Sequence, residues 1–109
     1  MVKTQTEREF QKQVTDLLTL MGWDWQWHYD SRRSRPGYPD LTCWHPEKGL
    51  VFAELKSEKG RLSAEQKERI AGLRMAGQRA YVWRPSEWQH VQDVICTSRW
   101  PNTSENNGG

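Results

Sequence analysis

Apolar side chains recur at spacings of three and four from Phe10 through Val14, Leu17 and Leu18 to Met21, predicting an amphipathic helix over residues 6–21 with one buried stripe. The period then changes to two. Trp23, Trp25, Trp27 and Tyr29 alternate with Asp24, Gln26, His28 and Asp30, which predicts a strand over 23–29 whose one face is a wall of indoles. Two more strand-like runs, 40–45 and 50–56, flank His45-Pro46-Glu47-Lys48-Gly49. Pro and Glu suit a type I turn and Gly49 can take the positive φ that ends it, so the two runs should pair as a hairpin. A helix over 64–76 stopped by Gly77, a strand over 79–83 and a helix capped by Ser86 and running to about Ile95 complete the pattern. Trp88, Val91 and Ile95 fall on the inward face of that last helix. The predicted order is αβββαβα. Residues 101–109 form a polar tail expected to be disordered, and no internal repeat is visible.

Three ionisable residues interrupt this apolar plan. Asp40 opens the first hairpin strand, and Glu54 and Lys56 stand at the end of the second, within Leu50-Val51-Phe52-Ala53-Glu54-Leu55-Lys56. Alternation puts Glu54 and Lys56 on one face while Ala53 and Leu55 point the other way. Counting back from the turn brings Asp40 beside them. Burying charge in a sheet costs several kcal/mol unless the charges are paired or bind a metal, so the positions point to chemistry. Oxygen ligands from Asp40 and Glu54 suit a hard cation such as Mg²⁺, which takes one or two carboxylates and keeps sites for water and a substrate phosphate. Lys56 can orient a water or stabilise charge developing on phosphorus. The plainer reading is a surface Asp and an ordinary Glu/Lys pair.

Gly37-Tyr38-Pro39-Asp40-Leu41, Phe52-Ala53-Glu54-Leu55-Lys56 and Lys59-Gly60-Arg61-Leu62-Ser63-Ala64-Glu65-Gln66 occur in order and at close spacing, and together they resemble a VRR-NUC domain. That family belongs to the PD-(D/E)xK nucleases. The resemblance runs over residues 6–88 and implies an α/β fold, a restriction-endonuclease-like core of order αβββαβ(α) with a central mixed sheet flanked by helices. It implies that Asp40 and Glu54 bind Mg²⁺ or Mn²⁺, that the Leu55 backbone carbonyl adds a ligand, and that Lys56 assists the nucleophilic water. Free-standing domains of this size are similar to those that bacteriophages encode, and the family is associated with branched DNA, Holliday junctions included.

Nucleases of this kind carry a further Glu on the first helix that reaches the metal directly or through water. Glu7 and Glu9 are the two candidates. Glu7 lies one turn before Phe10 and continues the buried stripe, whereas Glu9 falls with Gln13 and Asp16 on the polar side. Glu-x-Glu-Phe also resembles the start of archaeal junction resolvases, in which the first Glu is the functional one, so Glu7 is favoured. A helix-start acid beside a Thr6 cap would explain it equally simply. Ser63 and Gln66 form a capping box, Ser-x-x-Gln. In the family a Gln here also stands beside the metal-binding strand, where it can orient the water or the Lys amine. The two roles are compatible.

Composition fits a small intracellular enzyme. The 109 residues suffice for one domain, taken as 1–100, burying somewhat over ~60% of its unfolded surface. Two cysteines, Cys43 and Cys96, with no signal peptide, membrane-spanning run or Cys/His metal spacing, point to a reduced cytoplasm, that of the host cell if a phage encodes the protein. His28, His45 and His90 fall in unrelated contexts and read as structural or surface residues. The net charge is only +2, but Arg32, Arg33 and Arg35 precede Asp40 and Lys59 and Arg61 follow Lys56, so positive charge brackets the acidic centre and suits a DNA backbone. Backbone contacts favour shape over base reading. Seven Trp invite core packing, a dimer interface or stacking on unpaired bases, with Trp100 the candidate interface anchor. A homodimer would match the two-fold symmetry of a junction. An exonuclease or nickase on flapped or duplex DNA, and a non-catalytic DNA-binding module of the same fold, compete with the junction nuclease.

Overall fold

The computed structural model describes residues 5–28 and 38–97. Its elements are α1 (Glu7–Leu20), β1 (Asp24–Trp27), β2 (Leu41–His45), β3 (Gly49–Leu55), α2 (Ala64–Met75), β4 (Arg79–Trp83) and α3 (Trp88–Cys96), with a 3-10 turn at Pro85–Glu87 ahead of α3. One sheet has the order β1-β2-β3-β4. Its first two pairings are antiparallel and β3 with β4 is parallel, so α2 serves as the crossover that parallel neighbours require. The expected mixed sheet and element order are present.

Each element starts and stops where local chemistry dictates. Thr6 accepts from the Glu9 amide at 3.0 Å while the Glu9 carboxylate accepts from the Thr6 amide at 2.9 Å, a complete capping box on α1. Ser63 and Gln66 repeat it on α2 at 3.0 and 2.8 Å. Gly49 ends the β2–β3 turn at φ 88° and Gly77 ends α2 at φ 88°, both in the left-handed region that a side chain disfavours.

The sheet is packed on both sides at its centre. Val51, Ala53 and Leu55 of β3 point to one face, with Leu41, Cys43 and Trp83, and meet Phe10, Val14 and Leu18 of α1 and Val91 and Ile95 of α3. Phe52 and Ala80 point to the other face and meet Ile70 of α2. Each fully buried Leu, Val or Phe contributes about 1.5–3 kcal/mol, so burial on both faces anchors β3. On the α2 side of β1 and β2, Asp24 and Gln26 are exposed and Trp44 is 40% exposed.

The indole face packs largely as expected. Trp23 is buried and its Nε1 donates to Ile95 O at 3.0 Å, and Trp25 Nε1 donates to Thr19 Oγ1 of α1 at 2.9 Å. Lys48, which read only as a turn residue, is also buried and donates from Nζ to Ile95 O at 3.1 Å. A cation at the carboxyl end of α3 answers the helix dipole. One expectation changes: Ser86 does not cap the last helix but lies within the 3-10 turn that precedes it, and its hydroxyl donates to Glu58 Oε2 at 2.7 Å. Tyr29, Trp100 and the 101–109 tail lie outside the described residues. Among the described residues no helix is long and apolar enough to cross a membrane.

Candidate active site

The register that builds the sheet also builds the site. Leu41 pairs with Trp27 on one side and Ala53 on the other, so one residue further along His28, Asp40 and Glu54 stand in a row across three strands. His28 N donates to Asp40 O at 2.7 Å and continues the ladder. Asp40 and Glu54 exchange backbone support: Asp40 N donates to Glu54 Oε1 at 3.3 Å, and Leu55 N donates to Asp40 Oδ2 at 3.2 Å. Pro39, fully buried just before Asp40, fixes the backbone from which that carboxylate projects.

Glu54 is the buried member, 1% exposed on the α2 side of β3. Its Oε2 accepts from Gln66 Nε2 at 2.9 Å and lies 3.7 Å from Lys56 Nζ. Burial pushes its pKa up, to about 8, and the charge of Asp40 pushes the same way, while Lys56 opposes them. The carboxyl therefore sits in a place that disfavours its charge unless a cation joins it. Lys56 lies beyond the last strand residue, yet Lys56 N still donates to Trp83 O at 3.0 Å, so its side chain leaves from a fixed backbone on the Glu54 side.

Gln66 caps α2 and also stands beside the β3 carboxylate. Its side-chain carbonyl accepts from Ser63 N in the capping box while its amide nitrogen reaches Glu54. Glu9 is committed to capping α1 and is exposed, whereas Glu7 is half-buried and accepts from Gln11 Nε2 at 3.5 Å. Because α1 packs on the face opposite Glu54, Glu7 belongs to the other layer. No group of three or more His, Cys, Asp or Glu is gathered as a cation cage among the described residues. Lys59 and Arg61 are exposed on the segment after β3. Arg32, Arg33 and Arg35 lie outside the described residues.

Sequence reading missed three contributors. His28, taken as structural or surface, holds Thr42 Oγ1 at 2.6 Å from Nε2 and packs edge-on to Tyr38 at 4.7 Å. Burial pushes its pKa below the usual imidazole value, with Asp40 partly opposing. Its place beside Asp40 depends on the β1–β2 register, which no short turn sets. Tyr38 also meets Phe52 at 6.2 Å, forming an aromatic flank to the site. Arg84 reaches the segment after Lys56, and nothing in its sequence context announces this. His45 and His90 are structural: His45 packs against Trp23 at 5.5 Å and His90 Nδ1 accepts from Trp83 Nε1 at 3.0 Å.

The residues present fit a hard divalent cation. Two carboxylates stand opposite one another on neighbouring strands, and the buried one has its charge disfavoured by its surroundings.

Three comparisons bear on identity. The VRR-NUC domain family matches residues 2–87, a span that includes Glu7, Asp40, Glu54, Lys56 and Gln66. A Fanconi-associated nuclease 1 homolog of Caenorhabditis elegans is 44% identical over 52 residues, which is 47% of this chain and 6% of that protein. A solved VRR_NUC domain protein superposes with a TM-score of 0.59 at 21% identity, over 84% of this chain and 92% of that one, which supports the fold. With the family matched over residues 2–87, most of the 109-residue chain, the chain belongs to the VRR-NUC family of nuclease domains.

Proposed function

We propose that the chain is a Mg²⁺- or Mn²⁺-dependent DNA endonuclease acting on branched DNA such as Holliday junctions. The observation that carries this reading is the buried Glu54 carboxyl braced against Asp40, with Gln66 and Lys56 both on its Oε2. Asp40 and Glu54 would hold the cation, with the Leu55 carbonyl as a further ligand. When bound, the cation supplies Lewis acidity to a phosphoryl oxygen and a more acidic water. The chain's own groups do the rest. Gln66 fixes the Glu54 oxygens, and Lys56 presents a positive charge where negative charge grows on the phosphate during hydrolysis. Lys59 and Arg61, joined by Arg32, Arg33 and Arg35, would grip the DNA backbone, and backbone contacts favour recognition of shape over sequence. A homodimer would suit a two-fold junction that needs two cuts.

The deciding experiment is cleavage of a labelled four-way junction beside linear duplex built from the same arms, with Mg²⁺, Mn²⁺ or EDTA. Paired, metal-dependent cuts in the junction alone are expected, and Asp40→Asn should abolish them. Lys56→Ala should slow cleavage by about 10²–10⁴-fold while leaving DNA binding largely intact. Equal cutting of both DNAs would replace the junction enzyme by a general nickase or exonuclease. Tight binding without cutting would leave only a DNA-binding module.

A further inference from the structure

The connection 56–63 between β3 and α2 carries site groups at both ends: Lys56 leaves β3, and Ser63 starts the helix that presents Gln66. Whatever fixes this connection fixes both partners of Glu54. Within it, Gly60 N donates to Ser57 O at 3.1 Å and closes a turn. That turn is gripped from the neighbouring strand end. Arg84 Nη1 donates to Gly60 O at 2.6 Å and Ser57 O at 2.8 Å, and more weakly to Glu58 O at 3.5 Å. The Glu58 carboxylate in turn accepts from Ser86 N at 2.9 Å and Ser86 Oγ at 2.7 Å.

The grip reaches Lys56 itself. Lys56 N bonds Trp83 O, one step beyond the Leu55–Trp83 pair, so Arg84 follows directly on the residue that anchors Lys56. A Cβ on Gly60 would stand 3.0 Å from Ser57 Oγ and 3.5 Å from Lys56 Cδ, so the turn lies against the lysine stem. Arg84 is half-buried, and the carbonyls its guanidinium is shown to reach all belong to this turn.

We propose that Arg84, with the Glu58–Ser86 pair beside it, is a positioning residue of the nuclease site: it holds the 57–60 turn so that Lys56 and Gln66 converge on Glu54. The role in turnover rests on the nuclease reading; the grip on the turn does not. A guanidinium presents several donors in a fixed fork, whereas a lysine ammonium is a point charge on a flexible stem, so Arg84→Lys keeps the charge and loses the geometry.

The test uses the full chain and two readouts. Amide exchange followed by NMR should show Gly60 and Lys56 exchanging about tenfold faster in Arg84→Lys, with the β1–β2 amides unchanged, as expected of a local opening. Junction cleavage should show kcat falling about tenfold or more with KM within about twofold, since misplacement of a catalytic group by 1 Å can cost 10²-fold. Glu58→Gln, at an exposed position of the turn, should give the same pattern in milder form. Faster exchange at those amides with unchanged kcat would overturn the positioning role, as would acceleration spread over the whole sheet or exchange no different from native. A native chain inert on every DNA would refute the nuclease, and the exchange pattern would then still decide the grip.

Discussion

Glu54 is a core residue by burial and, in the proposed site, would also be a charged ligand. Folding lifts its carboxyl above the ordinary value of 4.5 toward about 8, so the metal-free protein gains from its neutral form below the ordinary value and loses that gain as pH rises through this window. In EDTA the melting temperature should therefore fall between pH 5 and 8 on account of this group, on the order of several degrees for a domain of this size. Glu54→Gln should flatten that decline, and Mn²⁺ at pH 8 should restore the native chain but not the variant. A melting temperature that rises over the same range in EDTA, identically in both proteins, would contradict it. Asp40, Glu54 and Lys56 were legible in the sequence because turn chemistry at 45–49 sets the hairpin register, and register alone decides who faces whom. His28 was not legible, since no short turn joins β1 to β2 and their register depends on packing. Arg84 was even less so, because its partners are backbone carbonyls, which leave no mark on composition or spacing.

At the level of elements, α2 illustrates how one short segment serves two ends. Its apolar anchoring is slight, with Ile70 its buried residue and Met75 89% exposed at its end, so its start depends on the capping box. Ser63→Ala should cost about 1 kcal/mol of stability by removing the cap, as read from urea unfolding, and leave Mn²⁺ affinity nearly unchanged. Gln66→Ala removes the other half of the box together with the bond to Glu54, so both stability and Mn²⁺ affinity should fall. If the two variants changed metal affinity equally, Gln66 would have no role at the site beyond starting the helix. The helix limits were readable because Ser63 and Gly77 are local signals. The start of α3 was misread for the converse reason: Ser86 has the right side chain for a cap, but Glu58, far away in sequence, takes its hydroxyl.

The described residues form a three-layer sandwich with the Asp40–Glu54 carboxylate pair at one end of the two-sided core. In the proposed nuclease, exposed Lys59 and Arg61 after β3 would give a salt-dependent handle on a DNA backbone. Lys59→Ala with Arg61→Ala should weaken junction binding and reduce the slope of log K against log salt by up to about two contacts, and adding Arg32, Arg33 and Arg35 to the set by up to about three more. A slope unmoved by the first pair would mean that the segment after β3 points away from DNA. The element order and the β2–β3 hairpin were legible from periodicity and turn signals, whereas the mixed sheet was expected from the family resemblance and its strand order was not read.

The tight β2–β3 turn also says something about the order in which the molecule assembles. Asp40 and Glu54 are 14 residues apart and meet once a hairpin closes, an event of about 1–10 μs, whereas Gln66 waits for α2 and the parallel docking of β4 is slower still. Two like charges thus come together before the groups that steady them arrive. A divalent cation bridging them at that moment would act on the folding transition state, so Mn²⁺ should steepen refolding rates in stopped-flow chevrons and not merely slow unfolding. An effect seen on the unfolding limb alone would place site assembly after the barrier.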